Sequence, residues 1–178
     1  MTIVAAVIDH EHGRVHMAAD SIAVDGNHNT VEITKIVQPA PGVLVGVAGY
    51  MRSIPVIRRH VRVNPPHGDD DLDEWAQDYA EAATTELCAR ACAQEDTPGA
   101  FYGSLILAYG RHLWEIESGI ANRVTRGYHA IGSGYEVAFG AMWAMRDTHP
   151  PDVIPTLAIE ACMEHLAGIG GTVLGVST

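Results

Sequence analysis

The apolar pattern of this chain changes period four times, and that alternation constrains its fold more than any other feature. The opening TIVAAVI, from Thr2 to Ile8, is a short β-branched run bounded by the polar DHEHG. RVHMAA follows with Val15, Met17 and Ala19 in period two, which predicts a β-hairpin that begins at the second residue. After the polar GNHNT come VEITKIVQ, a PAPG turn and VLVGVAG. By the same logic these are further strands, so the first fifty or so residues are expected to form one β-layer.

The period then lengthens. Ile54, Ile57 and Val61 fit one helix face, with Pro55 requiring that the helix begin close to it. The loop NPPHGDDDLDE intervenes. From about Asp71 to Ala93, Leu72, Trp75, Tyr79, Ala83 and Leu87 recur at helical spacing, with acidic residues at the end where the helix dipole favours them. Strand character returns in FYGSLILAY, and Gly110-Arg111 reads as a two-residue hairpin turn into HLWEIES. A second β-layer is expected here, running on through VTRGYHAI to the GSG turn at 132–134. YEVAFGAMWAM then puts Tyr135, Phe139 and Met142 on a helical stripe. Another helix is expected from about Asp152 to Ala167, with Pro151 and Pro155 near its start and Gly168 past its end, and GTVLGVS closes as a strand. Runs of strands alternating with runs of helices indicate an α+β protein, not a βαβ parallel sheet. A four-layer αββα sandwich would bury every apolar face.

Size and composition fit that picture. The 178 residues match one domain of about 150 residues, so 1–178 is read as a single domain. Hydrophobic residues are 47% and charged residues 19%, enough for a substantial core. Eleven Lys and Arg face 22 Asp and Glu, and the net charge of −11 opposes phosphate neutralisation, so nucleic-acid binding is disfavoured. No apolar run approaches the roughly 18 residues of a membrane span and no signal-peptide pattern opens the chain, so a cytoplasmic, unanchored protein is expected. Cys88, Cys92 and Cys162 are an odd set without a disulfide framework. Cys88 and Cys92 share a helix face and read as small buried residues.

Among residues that could carry chemistry, Thr2 stands out by position. Methionine is normally removed before a small residue, after which Thr2 would hold a hydroxyl and a free α-amine. An amine with a pKa of roughly 7.7–8.0 accepts the hydroxyl proton near neutral pH, so such a residue is its own nucleophile and base. Asp9, His10, Glu11, His12 and His16 contain metal-ligand types, but no pair has helical i, i+4 spacing and the stretch reads as a hairpin turn. The run Asp69 to Asp73 reads as a solvated loop carrying helix N-terminal charges. The sequence holds no P-loop and no GxGxxG, so ATP hydrolysis would belong to a partner.

TIVAAVI, RVHMAADS with Asp20, TKIV with Lys35, VGVAG and HAIGSG occur in an order and spacing that resembles a proteasome β-type subunit, with HslV (ClpQ) the nearest likeness. The resemblance runs from Thr2 to about Val176. It implies the Ntn-hydrolase αββα sandwich, a homo-oligomeric ring of six or seven subunits that can stack in pairs, an ATP-dependent AAA+ unfoldase as partner, and polypeptide as substrate. It implies no cofactor and no metal for the chemistry.

Residue by residue, Thr2 matches the nucleophile, Lys35 the lysine that eases its deprotonation, and Asp20 the acid that holds the lysine charged and oriented. Gly49 matches the oxyanion glycine and Ser133 the serine that orients the terminal amine. Ile22, Ile33, Gly46, Val47 and Met51 fall near positions that line the family's specificity pocket, which predicts apolar residues before the cut. The Asp9–Gly13 loop sets Asp20 farther from Thr2 than is usual in the family, and GIGG lacks the Asp that many proteasome subunits place before their last strand. The bland alternatives are an Asx-type turn at Asp20, a solvated strand residue at Lys35, turn glycines, and a capping Ser133. Two rival functions fit the same residues: a catalytically silent ring or assembly protein that retains Met1, and an Ntn amidase acting on a small molecule.

Overall fold

The computed structural model describes residues 1–24, 30–67 and 71–178. Residues 26–29 of the polar GNHNT stretch, and Asp69 and Asp70 of the acidic run, lie outside the described residues. The first strand pair is the predicted hairpin, β1 (Ile3–Asp9) and β2 (Arg14–Asp20), registered Val4 to Ala19 and Asp9 to Arg14. A short ribbon, β3 (Ile22–Val24) against β4 (Thr30–Glu32), leads to β5 (Ile36–Ala40) and β6 (Val43–Gly49). Two helices follow, α1 (Ser53–His60) and α2 (Leu72–Leu87), the second running on into a π-helical turn at Cys88–Cys92. Pro55 is the third residue of α1, where its missing N–H has no intrahelical acceptor to lose. Then come β7 (Gly103–Tyr109), β8 (His112–Glu117), β9 (Ile120–Arg123) and β10 (Tyr128–Gly132). The helices α3 (Tyr135–Met145) and α4 (Ile154–His165) and the strand β11 (Val173–Ser177) complete the order.

Two antiparallel sheets form, β10-β1-β2-β11 and β5-β6-β7-β8-β9. This corrects the expected division into an early and a late β-layer. Each sheet mixes strands from both halves of the chain, because β6 pairs with β7 across the intervening helices and β1 pairs with β10. The VEITKIVQ run is likewise two strands, interrupted at Ile33–Lys35, where Ile33 N donates to Ser21 O and Val47 N to Lys35 O. That segment is the crossing from β4 to β5, the edge strand of the other sheet. VTRGYHAI is not one strand either, since its first residues connect β9 to β10.

Alternation along each strand sends side chains to three apolar layers. Val4, Ala6, Met17, Leu44, Ala48, Ile106 and Leu113 fill the space between the sheets. Ile3, Ala5, Ala18 and Ala130 pack on α3 and α4 through Ala138, Met142, Ile159 and Cys162. Val45, Val47, Leu105, Leu107 and Trp114 pack on α1 and α2 through Ile57, Trp75, Tyr79 and Leu87. The result is the αββα sandwich. Tyr135, grouped on sequence with Met142, is exposed, whereas Met142 is fully buried. Cys92 is buried and Cys88 half-buried.

Polar groups fix the ends and edges. Asp71 caps α2, its Oδ1 accepting from Asp73 N at 3.0 Å and Glu74 N at 3.2 Å. At the β1–β2 turn the buried Asp9 accepts from His12 N at 3.0 Å and meets His12 Nδ1 at 2.8 Å and His16 Nε2 at 3.3 Å. The His12 backbone donor, with help from both imidazoles, holds its carboxyl down to about 2. Between the sheets, His129 Nε2 on β10 lies 3.1 Å from Glu115 Oε2 on β8, and this pairing holds the Glu115 carboxyl below the usual range.

Candidate active site

Thr2 immediately precedes β1, and its position is set by the neighbouring strand β10. Ile3 pairs with Gly132, whose φ of +99° brings its backbone so close that a Cβ there would lie 2.3 Å from Thr2 O. Only glycine permits that approach. The next residue, Ser133, then sits against Thr2: Thr2 N donates to Ser133 Oγ at 3.2 Å, and Ser133 Oγ donates to Thr2 O at 3.3 Å. Met1 is present, 54% exposed, with its side chain over Gly168. Thr2 N is therefore an amide here.

A buried ion pair lies at the start of β1. Asp20 ends β2 with no exposed surface, and Lys35, on the crossing segment, is 2% exposed. Lys35 Nζ donates to Asp20 Oδ1 at 2.6 Å and to Ile22 O at 2.6 Å. Asp20 Oδ1 also accepts from Ile3 N at 3.0 Å, and Oδ2 accepts from Gly170 N at 3.4 Å. The carboxylate thus ties the residue after Thr2 to the lysine. An ammonium has three donors, so two bonds leave one for a neighbouring group. Burial pulls the Lys35 pKa below its ordinary value, and the Asp20 carboxylate opposes that shift. The alternatives of an Asx-type turn and a solvated lysine do not describe these two residues.

Gly49 ends β6 opposite Gly103 with φ +122°, and a Cβ on it would meet Tyr102 O at 2.4 Å. The two strands close on each other there because neither carries a side chain. A cavity of about 290 Å³ opens at this point, lined by Thr2, Ala23, Ala48, Gly49, Met51 and Ser133, among others. Nearby, the buried Cys162 donates to Gly134 O at 3.4 Å, and burial pushes its thiol up to about 11, far from the thiolate a nucleophile needs.

Of the expected pocket residues, the structure brings Met51 to this cavity and not the others. Gly46 faces the other sheet, where a Cβ would meet Val4 Cγ1 at 2.6 Å. Val47 packs on the α1–α2 side, and Ile33 packs against that same core. Ile22 lies over Gly170 and Gly171. The apolar lining is instead supplied by Ala23 and Ala48, which sequence reasoning missed. Strand parity was the signal, since Val47 facing the helices requires that Ala48 face the opposite way. Among the described residues no group of three or more His, Cys, Asp or Glu side chains is arranged to hold a metal ion. No helix there is long and apolar enough to cross a membrane.

No family model matches the chain, and no curated protein matches it. Solved structures do. BPH of Thiobacillus denitrificans superposes with a TM-score of 0.81 at 20% identity over 99% of this chain and 97% of that one. The same protein in complex with Epoxomicin gives 0.79 at 17% identity over 99% and 98%. Eukaryotic HslV from Trypanosoma brucei gives 0.73 at 17% identity over 99% and 98%. The chain therefore has the αββα fold of HslV.

Proposed function

We propose that this chain is an N-terminal-threonine endopeptidase, with the buried Asp20–Lys35 pair, tied through Asp20 to the Ile3 N–H next to Thr2, as the observation that supports it. Removal of Met1 converts Thr2 N from an amide into an amine. That amine takes the proton of Thr2 Oγ, and Oγ attacks the scissile carbonyl carbon. Lys35 lowers the cost of the developing alkoxide, and Asp20 keeps Lys35 in place. The carbonyl oxygen becomes an oxyanion that the Gly49 N–H stabilises. The ammonium then returns its proton to the leaving nitrogen as the C–N bond breaks, which leaves an ester on Thr2. Water, deprotonated by the same amine, hydrolyses the ester and restores Oγ–H. Ser133, already bonded to Thr2 N, keeps the amine lone pair directed at Oγ.

The substrate is polypeptide, which fits a cavity bordered by strand backbone. The Epoxomicin complex of a structural neighbour supports a peptidase on this fold. In keeping with the HslV likeness, the working form is a cytoplasmic homo-oligomeric ring fed by a separate ATP-dependent unfoldase. The deciding experiment is intact mass before and after incubation with an epoxyketone. Loss of Met1 plus one adduct mapped to Thr2, abolished in Thr2→Ala while ring assembly persists, is the expected result. A retained Met1 with no adduct overturns the proposal and leaves a silent ring protein. An adduct without cleavage of any peptide points to a small-molecule amidase.

A further inference from the structure

On the far side of the Gly49–Gly103 contact the chain forms a second recess that the chemistry above does not use. Tyr50 follows Gly49 and Tyr102 precedes Gly103, so both rings are delivered by the strand ends that border the Thr2 cavity. The rings lie 5.0 Å apart between centroids at 34°, and each residue is 51% exposed. A pair of large aromatics left this open beside a reaction centre needs an occupant. With Ala93, Gln94, Glu95 and Asp96 they enclose about 460 Å³.

The opposite wall is held firmly. Ala93 bridges to Phe101, Tyr102 N donates to Cys92 O at 2.7 Å, Gln94 N donates to Ala100 O at 2.9 Å, and Gln94 Nε2 donates to Phe101 O at 3.0 Å. The backbone bonds of this loop are thereby spent internally. Glu95 and Asp96 are exposed, and among the described residues neither pairs with a cation. Two aromatic rings and two carboxylates, unpaired among the described residues, line one recess, which suits a cation with a flat face. A guanidinium stacks on a phenol ring and donates its fork of N–H groups to carboxylates, whereas an ammonium offers a point charge.

We propose that Tyr50, Tyr102, Glu95 and Asp96 form a specificity subsite for an arginine side chain of the polypeptide substrate. This inference rests on the peptidase reading and adds a sequence preference to it. An extended substrate advances about 3.3 Å per residue with alternate side chains on one face. One whose scissile carbonyl lies at Gly49 therefore presents a side chain to the recess within a few residues of the cut.

The test is a set of otherwise identical internally quenched peptides, each with a single Arg replacing Ala at one position within four residues of the cleaved bond. At one position Arg is expected to raise kcat/KM about tenfold over Ala, with Lys intermediate. The Arg-to-Ala ratio should fall to within twofold of unity in the E95Q/D96N double variant and in Tyr50→Ala. In E95K/D96K the preference should invert toward Glu, a reversal that loss of loop structure would not produce. Absence of a positional Arg effect, or its survival in E95Q/D96N, overturns the inference. Should no peptide be cleaved, anisotropy of the same peptides, labelled, on Thr2→Ala separates the two readings. Tighter binding of the Arg peptide there keeps the subsite while the peptidase fails, and equal binding refutes the subsite as well.

Discussion

Replacing Lys35 by Met keeps a side chain of similar reach and removes its charge. Asp20 would then remain fully buried, with only the Ile3 N–H at 3.0 Å and the Gly170 N–H at 3.4 Å to support its carboxylate, and the Ile22 carbonyl would lose its donor. Leaving one member of a buried ion pair uncompensated costs about 3–5 kcal/mol. For a chain in the 150–250 residue range each kcal/mol moves Tm by roughly 2–4 °C, so Lys35→Met should melt about 6–20 °C below the parent. Asp20→Asn should be destabilised to a similar degree, because it strands the ammonium. The double variant carries no buried charge and should cost less than the two single changes added together, a favourable coupling of about 1–3 kcal/mol. Urea unfolding at constant m-value, followed by far-UV circular dichroism, measures all four corners of the cycle. A Lys35→Met cost below about 1 kcal/mol, or strict additivity in the double variant, would refute the argument that the pair is dry and mutually dependent.

Three further outcomes follow from the fold. Asp71→Ala removes the acceptor for two N-terminal donors of α2 and should cost about 1 kcal/mol by urea titration, while Asp71→Asn should recover most of it. Gly46→Ala puts a methyl 2.6 Å from Val4 Cγ1 and 3.0 Å from Met17 Sδ, so the sheets must part; a loss of about 1–3 kcal/mol is expected, and a neutral result would mean the sheets are not closed there. Asp9 has a depressed pKa in the folded chain, so its stabilisation is present above the ordinary carboxylate range near about 4 and is lost as the pH falls through about 2. Asp9→Asn should therefore flatten the acid limb of the stability–pH curve, as read by thermal melts across the range.

Local structure was largely legible. The period-two runs around Val15 and Val45 and the helical stripe through Trp75 and Tyr79 appear where alternation and spacing put them, because each element's own apolar face dictates them. Partner choice was not legible in the same way. Alternation says which side chains share a face, but not that β6 reaches past α1 and α2 to β7. At the site, the collinear motifs led to Asp20, Lys35, Gly49 and Ser133; Ser133 bonds Thr2, Gly49 lines the same cavity, and Asp20 bonds the Ile3 N–H and holds Lys35. Ile22, Ile33 and Val47 were weighed by hydrophobicity, whereas the wall of the cavity beside Thr2 follows strand parity and includes the small residues Ala23 and Ala48. Tyr50 and Tyr102 passed unnoticed on sequence, since nothing local distinguishes an exposed tyrosine from a buried one.

The pairing order of the first sheet governs when the surroundings of Thr2 come together. Thr2 takes its partner from Ser133, 131 residues later, and Asp20 lies opposite Val173 in the register of β2 with β11. During synthesis Thr2 is made well before β10 and β11, the strands that complete its sheet. A nascent chain therefore holds the threonine without its partner on β10 and without the strand that faces Asp20. Long-range closure of this sort is slow to form, so the surroundings of Thr2 are among the later parts of the fold to be completed.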